Sequence, residues 1–536
     1  MLRLLLISFI ALSALTLNAQ ITFQKVYGGT FSDFGTSVHQ TTDNGYIVVG
    51  TTTSFGSGGR DVLVIKTNEI GDTLWSRTFG GATDNEYGFC GEPTTDGGYI
   101  ISGVASSFDD VAGDMYLIKL DASGDTMWTR TYGGNGYEWG SFVQQTMDGG
   151  FIITGQTPAF GAGGFDAYLV KTNAGGDIVW TKTYGGIGSE YGNSVQQTTD
   201  GGYVLTGSCD NNFGFGGSDF YLIKTDSTGN HVWSKAYGQT GSEEGKVVRQ
   251  TTDGGYLIAG TSENALGPLG PNMCLIKTNS VGDTLWAKLY GGAMIDECYD
   301  AKQTSDGGYI MVGKSFSFSA AGDYDVYVVK VNAQGIAQWS KTYGGSATNH
   351  NEIGYSVDQT NDRGYIISGE SMFGFGVGIV NMYLIKTDSL GNSGCNQGSA
   401  ATVTSNYLPQ VIATATLVGT GGNMKMPASL VNSGTTQTNL CLSGSTNIHD
   451  LNEDLSVTIY PNPFEEIINI AIEEISQLNS IKIYNVFGQE VYSQINLDKS
   501  YSSNKIVVEL KDQKKGIFLI ELRGESFDRT FKLIKQ

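Results

Sequence analysis

Residues 141–186 read SFVQQTMDGG FIITGQTPAF GAGGFDAYLV KTNAGGDIVW TKTYGG, and this stretch holds one whole unit of a repeat. SFVQQT, FIITG, DAYLVKT and IVWTKTY have the composition of four strands, a to d. MDGG and NAGGD supply the positive backbone angles of tight a–b and c–d hairpins, whereas b and c are joined by the longer loop TPAFGAGG. In the preceding unit, Asp114, Tyr116 and Ile118 point to one face of strand c and Met115, Leu117 and Lys119 to the other. Both faces carry apolar side chains, so both must be covered.

Outward from this unit, a Tyr-Gly-Gly-like step recurs at Tyr27, Phe79, Tyr132, Tyr184, Tyr237, Tyr290 and Tyr343, 52 or 53 residues apart. A period of this size means stacked supersecondary units that bury their surfaces only against one another. Small four-stranded sheets packed face to face around an axis satisfy that condition, which predicts an all-β, seven-bladed β-propeller over residues 20–392. The ends fix the closure. After Gln20 the chain opens with ITFQKVYGG, a lone strand d, and the seventh unit stops after strand c at NMYLIKTD. The first strand is therefore expected to complete the last blade, leaving no free sheet edge at the seam.

The 32 basic against 53 acidic residues give a net charge of -21, which speaks against nucleic acid and anionic membrane surfaces and is compatible with a divalent cation. Residues 1–19 carry Arg3, an apolar run from Leu4 to Leu17 and Ala19, the pattern of a signal peptide. No later apolar run is long enough for a membrane span. Export permits disulfides, and Cys395 and Cys441, which bracket a connecting segment over 393–454, are the expected pair.

Residues 455–536 change character to charged, alternating strands, seven short ones in all, which predicts a small β-sandwich. Tyr460, Pro461, Asn462 and Pro463, the string IKIYNVFGQEV with Gly488, the step Gly516-Ile517-Phe518 and the terminal FKLIKQ resemble the type A C-terminal sorting domain of the type IX secretion system of Bacteroidetes. The resemblance implies passage through the periplasm, partnership with the type IX machinery and delivery to the outer-membrane surface or the medium. The repeat itself more loosely resembles kelch-type and quinoprotein-type blades in GYIVVG, DVLVIK and GDTLW, which speaks to fold alone.

The sequence holds only four His, no HExxH and no paired CxxC, and calls for no cofactor or metal. The acid after each Tyr-Gly step (Asp33, Glu86, Glu138, Glu190, Glu243, Asp296, Glu352) recurs in every unit and reads as a tie between blades. The recurrent Trp and the Phe of the b–c loops (Phe55, Phe108, Phe160, Phe213, Phe316, Phe373) read as packing, and the recurrent lysines as covering apolar surface with their heads near the DGG aspartates. Positions that differ between units point to function. His39, Glu92, Gln144, Gln196, Arg249, Lys302 and Asp358 in strand a are polar whatever their charge and are expected to line a channel. The variable d–a and b–c loops carry Asp109, Asp110, Tyr137, Trp139, Asn211, Asn212 and His350, the candidate binding residues. The resulting expectation is a non-catalytic surface module for a glycan or protein. The alternative is a glycan-directed hydrolase using an acid pair among Asp109, Asp110, Glu138 and Glu190.

Overall fold

The computed structural model describes residues 20–536 apart from 109–112, 211–212, 264–269, 320, 346–348, 377, 415–416, 420–422, 426–429, 433–435, 444–456, 461–465, 473–477, 486–488, 496–504, 512–514, 525–527 and 536. Residues 1–19, the expected signal peptide, lie outside the described residues. Every regular element among the described residues is a β-strand, and no helix is long and apolar enough to cross a membrane. The chain divides into two units, Met1–Gly444 and Ser445–Gln536.

In the first unit, strands a to d of each repeat form one antiparallel sheet, seven sheets in all. The first is Asp33–Gln40, Tyr46–Thr52, Asp61–Thr67 and Thr73–Gly80. The seventh has only Asn351–Gln359, Tyr365–Met372 and Val380–Thr387 from its own repeat, and its fourth strand is Thr22–Gly28. The pairing runs from Phe23 opposite Lys386 to Tyr27 opposite Met382, the place the orphan strand was expected to fill.

The repeat signature residues hold each sheet to the next. Trp75 of the first sheet meets Tyr99 of the second edge-on at 5.8 Å. Trp128, Trp180, Trp233, Trp286 and Trp339 repeat this contact with Phe151, Tyr203, Tyr256, Tyr309 and Tyr365. Phe23 makes it with Tyr46, so the seventh sheet packs on the first. The Tyr of the Tyr-Gly step donates its hydroxyl to a carbonyl in the next unit's c–d turn, as in Tyr132 to Gly176 at 2.7 Å and Tyr343 to Gly391 at 2.7 Å. The lysine stems are buried as expected, and their ammonium groups reach the DGG aspartates in all seven units, for example Lys66 to Asp43 at 2.8 Å and Lys386 to Asp362 at 2.8 Å.

The segment expected only to connect two domains carries seven further strands. Gln397–Ser399 adds to the free edge of the sixth sheet, Val403–Asn406 to the fifth, Gln410–Ala413 to the fourth and Leu417–Gly419 to the third. Asn423–Lys425 adds to the second, Leu430–Asn432 to the first, and Thr436–Ser443 to Thr22–Gly28 of the seventh. The chain thus runs back past all seven sheets as a belt. Its two ends meet at one residue: the Gln24 side chain donates to the Cys395 carbonyl, and the Gln24 backbone lies opposite Cys441.

The second unit has seven strands in two antiparallel sheets, one of three strands and one of four. Ile468, Ile470, Ile506 and Val508 of the first and Ile481, Ile483, Phe518, Ile520 and Leu522 of the second are buried in one cluster. Of the motif residues quoted above, Tyr460 ends a strand (Val457–Tyr460) and Gly516 opens another (Gly516–Gly524), whereas Pro461, Asn462, Pro463 and Gly488 lie outside the described residues.

Candidate functional site

Strand a is one edge of every sheet, and the seven a strands contact one another in sequence, the last returning to the first. Each breaks register with strand b at the same place, between Gly35 and Ser37 in the first sheet and between Gly88 and Cys90, Gly140 and Phe142, Gly192 and Ser194, Gly245 and Val247, Cys298 and Asp300, and Gly354 and Ser356 in the others. One extra residue is left out of the ladder, a β-bulge, and such an insertion re-aims its side chain. The glycine before it has a steric cause: a Cβ on Gly88 or Gly192 would lie 2.6 Å from the carbonyl oxygen of Gly50 or Gly155 on the preceding sheet.

The seven bulged residues are Thr36, Phe89, Ser141, Asn193, Lys246, Tyr299 and Tyr355, all half-buried. All seven line one cavity of about 500 Å³, together with Phe34, Thr51, Arg60, Tyr87, Trp139 and Glu370. One wall is aromatic. Phe89 stacks on Trp139 at 4.9 Å, Tyr87 lies parallel to Phe89 at 6.1 Å, and Tyr137 tilts against Trp139 at 5.5 Å. Arg60 of the b–c connection sits over Tyr87 at 5.2 Å and Phe34 at 6.0 Å. Opposite, Tyr299 and Tyr355 meet edge-on at 5.2 Å, and Tyr299 donates to Glu297 at 2.6 Å. Burial pushes the Glu370 carboxyl, hydrogen-bonded to Tyr355, up to about 7. A neighbouring cavity of about 450 Å³ is acidic, with Glu243, Glu244, Glu263 and Glu297 in its lining.

Beneath the first cavity lies a smaller one of about 130 Å³, lined again by the bulged residues and by His39 and Arg249. All seven expected channel residues are half-buried. Several also bond to a neighbouring sheet: Lys302 pairs with Asp358 at 2.9 Å, His39 lies 3.5 Å from Asp358, and Gln144 and Gln196 accept from the backbone of Gln197 and Gln250. Lys302 and His39 hold the Asp358 carboxyl below its ordinary value against the opposing effect of burial. Glu92 stands in the same row on the second sheet.

Of the candidate binding residues, Trp139 lines the cavity and Tyr137 packs against Trp139 without lining the cavity itself. His350 does not line it, and its backbone N–H donates to Asp323 at 3.1 Å. Asp109, Asp110, Asn211 and Asn212 lie outside the described residues. Glu138 and Glu190, named for the hydrolytic alternative, are fully buried with the other acids of their row. Glu138 accepts from Thr157 at 2.7 Å and Glu190 from the Gly186 N–H at 2.7 Å. These acids join neighbouring sheets. A Cβ on Gly80 would lie 2.0 Å from an Asp61 oxygen of the first sheet and 2.7 Å from a Glu86 oxygen of the second, which is why the Tyr-Gly step keeps its glycine. Burial, and after it Glu86, pushes Asp61 up to about 7. The Phe expectation needs one correction. Phe108, Phe160 and Phe213 pack on Tyr116, Tyr168 and Tyr221, but in the last two units Phe318 and Phe375 make this contact with Tyr327 and Tyr383, while Phe373 is 58% exposed. Cys395 is disulfide-bonded, and Cys90, Cys209, Cys274 and Cys298 are free and buried.

Residues 458–536 match the Secretion system C-terminal sorting domain. The chain therefore carries a type IX secretion sorting tail, the part that engages the secretion machinery, and is cargo exported to the cell surface or secreted. A comparison with curated proteins finds no match. Among solved structures, a protein of unknown function from Bacteroides caccae is 10% identical over 60% of this chain and 93% of its own, with a TM-score of 0.34. PorZ, a surface component of the type-IX secretion system of Porphyromonas gingivalis, is 10% identical over 94% of this chain and 81% of its own, with a TM-score of 0.29. Likenesses at these scores establish neither fold nor function for this chain.

Proposed function

We propose that the seven sheets are the blades of a seven-bladed β-propeller, that residues 1–19 are its export leader, and that the mature protein is a non-catalytic binding module displayed or released by its sorting tail. Its ligand, a glycan or a protein, enters the cavity lined by the bulged residues. One observation carries this reading: the same bulge in all seven a strands turns seven side chains into one cavity, yet those side chains are Thr, Phe, Ser, Asn, Lys and two Tyr. The signature positions that tie sheet to sheet, the Trp, the Tyr of the Tyr-Gly step and the Lys, keep nearly one residue type from unit to unit, whereas a recognition surface needs different groups at different places. Glu370 is the single carboxylate in this cavity's lining among the described residues, which favours binding over two-carboxylate hydrolysis there.

A glycan array and a panel of outer-surface proteins, probed with purified protein and with Trp139→Ala, test the reading. Binding that Trp139→Ala removes without loss of fold supports it. Binding unaffected by Trp139→Ala, or polysaccharide cleavage by the wild type, would count against it. The belt is proposed to be closed covalently by a bond between Cys395 and Cys441.

A further inference from the structure

The chemistry of the lining narrows the ligand. In a chain of net charge -21, the described lining of the cavity holds two cations, Arg60 and Lys246, and a single carboxylate, Glu370, which burial has pushed up to about 7. Lys246 is already paired with Glu244 at 2.5 Å. The Arg60 guanidinium has no ion pair among the described residues, and only the faces of Tyr87 and Phe34 lie against it. Its backbone is pinned on both sides: the Arg60 N–H donates to Asn85 at 3.1 Å, and its carbonyl accepts from the Glu86 N–H at 2.8 Å. An arginine oriented in this way, stacked on rings and without an ion-pair partner among the described residues, is suited to bidentate capture of a carboxylate. Beside it are a flat aromatic wall of Tyr87, Phe89 and Trp139 and neutral hydrogen-bonding groups on Thr36, Ser141 and Asn193. The complement of such a surface has one apolar face, many hydroxyls and one negative charge.

We infer that the cavity binds an acidic saccharide, with a pyranose ring stacked on the Trp139–Phe89 wall and its carboxylate held by Arg60. This rests on the cavity being the binding site, and the test separates the two claims. Titration calorimetry of the full mature chain would use galacturonate, mannuronate and hyaluronan tetrasaccharides, each beside its carboxyl-reduced counterpart. At least one acidic form is expected to bind about tenfold or more tighter than its reduced counterpart, and to weaken as salt is raised. Arg60→Gln should erase that preference with an unchanged melting temperature, and Arg60→Lys should restore part of it. Equal binding of acidic and reduced forms, or a preference that survives Arg60→Gln, overturns the acidic ligand. If neutral forms bind and Trp139→Ala abolishes their binding, the cavity stands and only the acidic class falls. If no saccharide binds at all, both claims fail for saccharides.

Discussion

Each sheet of the repeat unit has two edges, and they are finished in opposite ways. At the edge formed by strand a, neighbouring strands crowd together, one residue is bulged out of register, and the bulged side chain differs from sheet to sheet. At the other edge strand d is capped by a belt strand, in most sheets of only three or four residues. The belt residues Val403 and Val411, which cap the fifth and fourth sheets, are exposed, whereas Thr22–Gly28, capped by Thr436–Ser443, is buried along its whole length. A free edge exposes unpaired N–H and C=O groups that template association, and both devices remove that exposure. Only the a edge also gains something for recognition, because its bulges turn seven unlike side chains into one cavity. The belt contributes pairing and connectivity.

The largest break in this comparison comes from deleting residues 20–28. The strand Thr22–Gly28 pairs on one side with Val380–Thr387 and on the other with Thr436–Ser443, so its loss unpairs two edges and opens the seam between the seventh and first sheets. Its seven residues are all buried, and calorimetry should show the melting temperature falling by more than about 10 °C, or no cooperative transition at all. Next is the belt. Replacing Cys441 by Ser would open the proposed Cys395–Cys441 loop, at a cost of about 4 kcal/mol in the chain-entropy account. Reductant should lower the melting temperature of the wild type and leave that of Cys441→Ser unchanged. An equal response of both proteins would remove the covalent closure.

A smaller effect follows from the carboxyls that tie the sheets. Burial is the largest cause in raising Asp61, Glu190, Asp325 and Glu352 to about 7 and Asp166 to about 6. Unfolded, they titrate near about 4, so the folded chain holds protons the unfolded chain releases. Their contribution is complete below about pH 4 and is lost as pH rises through 6 and 7. The exposed DGG aspartates act in the other direction: hydrogen bonds and Lys hold Asp96, Asp148, Asp253 and Asp306 at about 2 against the opposing effect of burial, so their contribution is lost only as pH falls toward that value. The melting temperature should therefore decline between about pH 5 and pH 7.5. A flat or rising profile over that interval would show that the pairs ionise freely. The smallest effect on stability is Trp139→Ala. The residue is half-buried at a position where two other units carry Glu244 and Glu297, so thermal unfolding should register less than about 2 kcal/mol.

What was legible in the sequence follows the same division. The sheets and the seam were readable because hydrophobic periodicity and the Tyr-Gly, Trp and Lys signatures repeat seven times, each tied to one local contact. The belt was not. Strands such as Gln397–Ser399 and Leu417–Gly419 are too short to carry an alternating pattern, and their pairing is through backbone groups that any sequence possesses. At the site, Trp139 and Tyr137 were reached by asking where units differ. The bulged row was missed because strict alternation places residues three apart, such as Thr36 and His39, on opposite faces. The bulge resets that parity, and both line the smaller cavity. The recurrent glycine just before the bulged position was the available signal.

The claim that recognition belongs to the a edge and not to the belt edge is tested most directly by plugging each. Ser141→Trp places a large ring on a bulge inside the cavity, and Val411→Trp places the same ring on an exposed belt residue, 41% accessible. Affinity for the strongest ligand found on the array should be lost in Ser141→Trp, with the melting temperature retained, and should be unchanged in Val411→Trp. Full binding by a folded Ser141→Trp protein, or binding lost in Val411→Trp alone, would contradict the account.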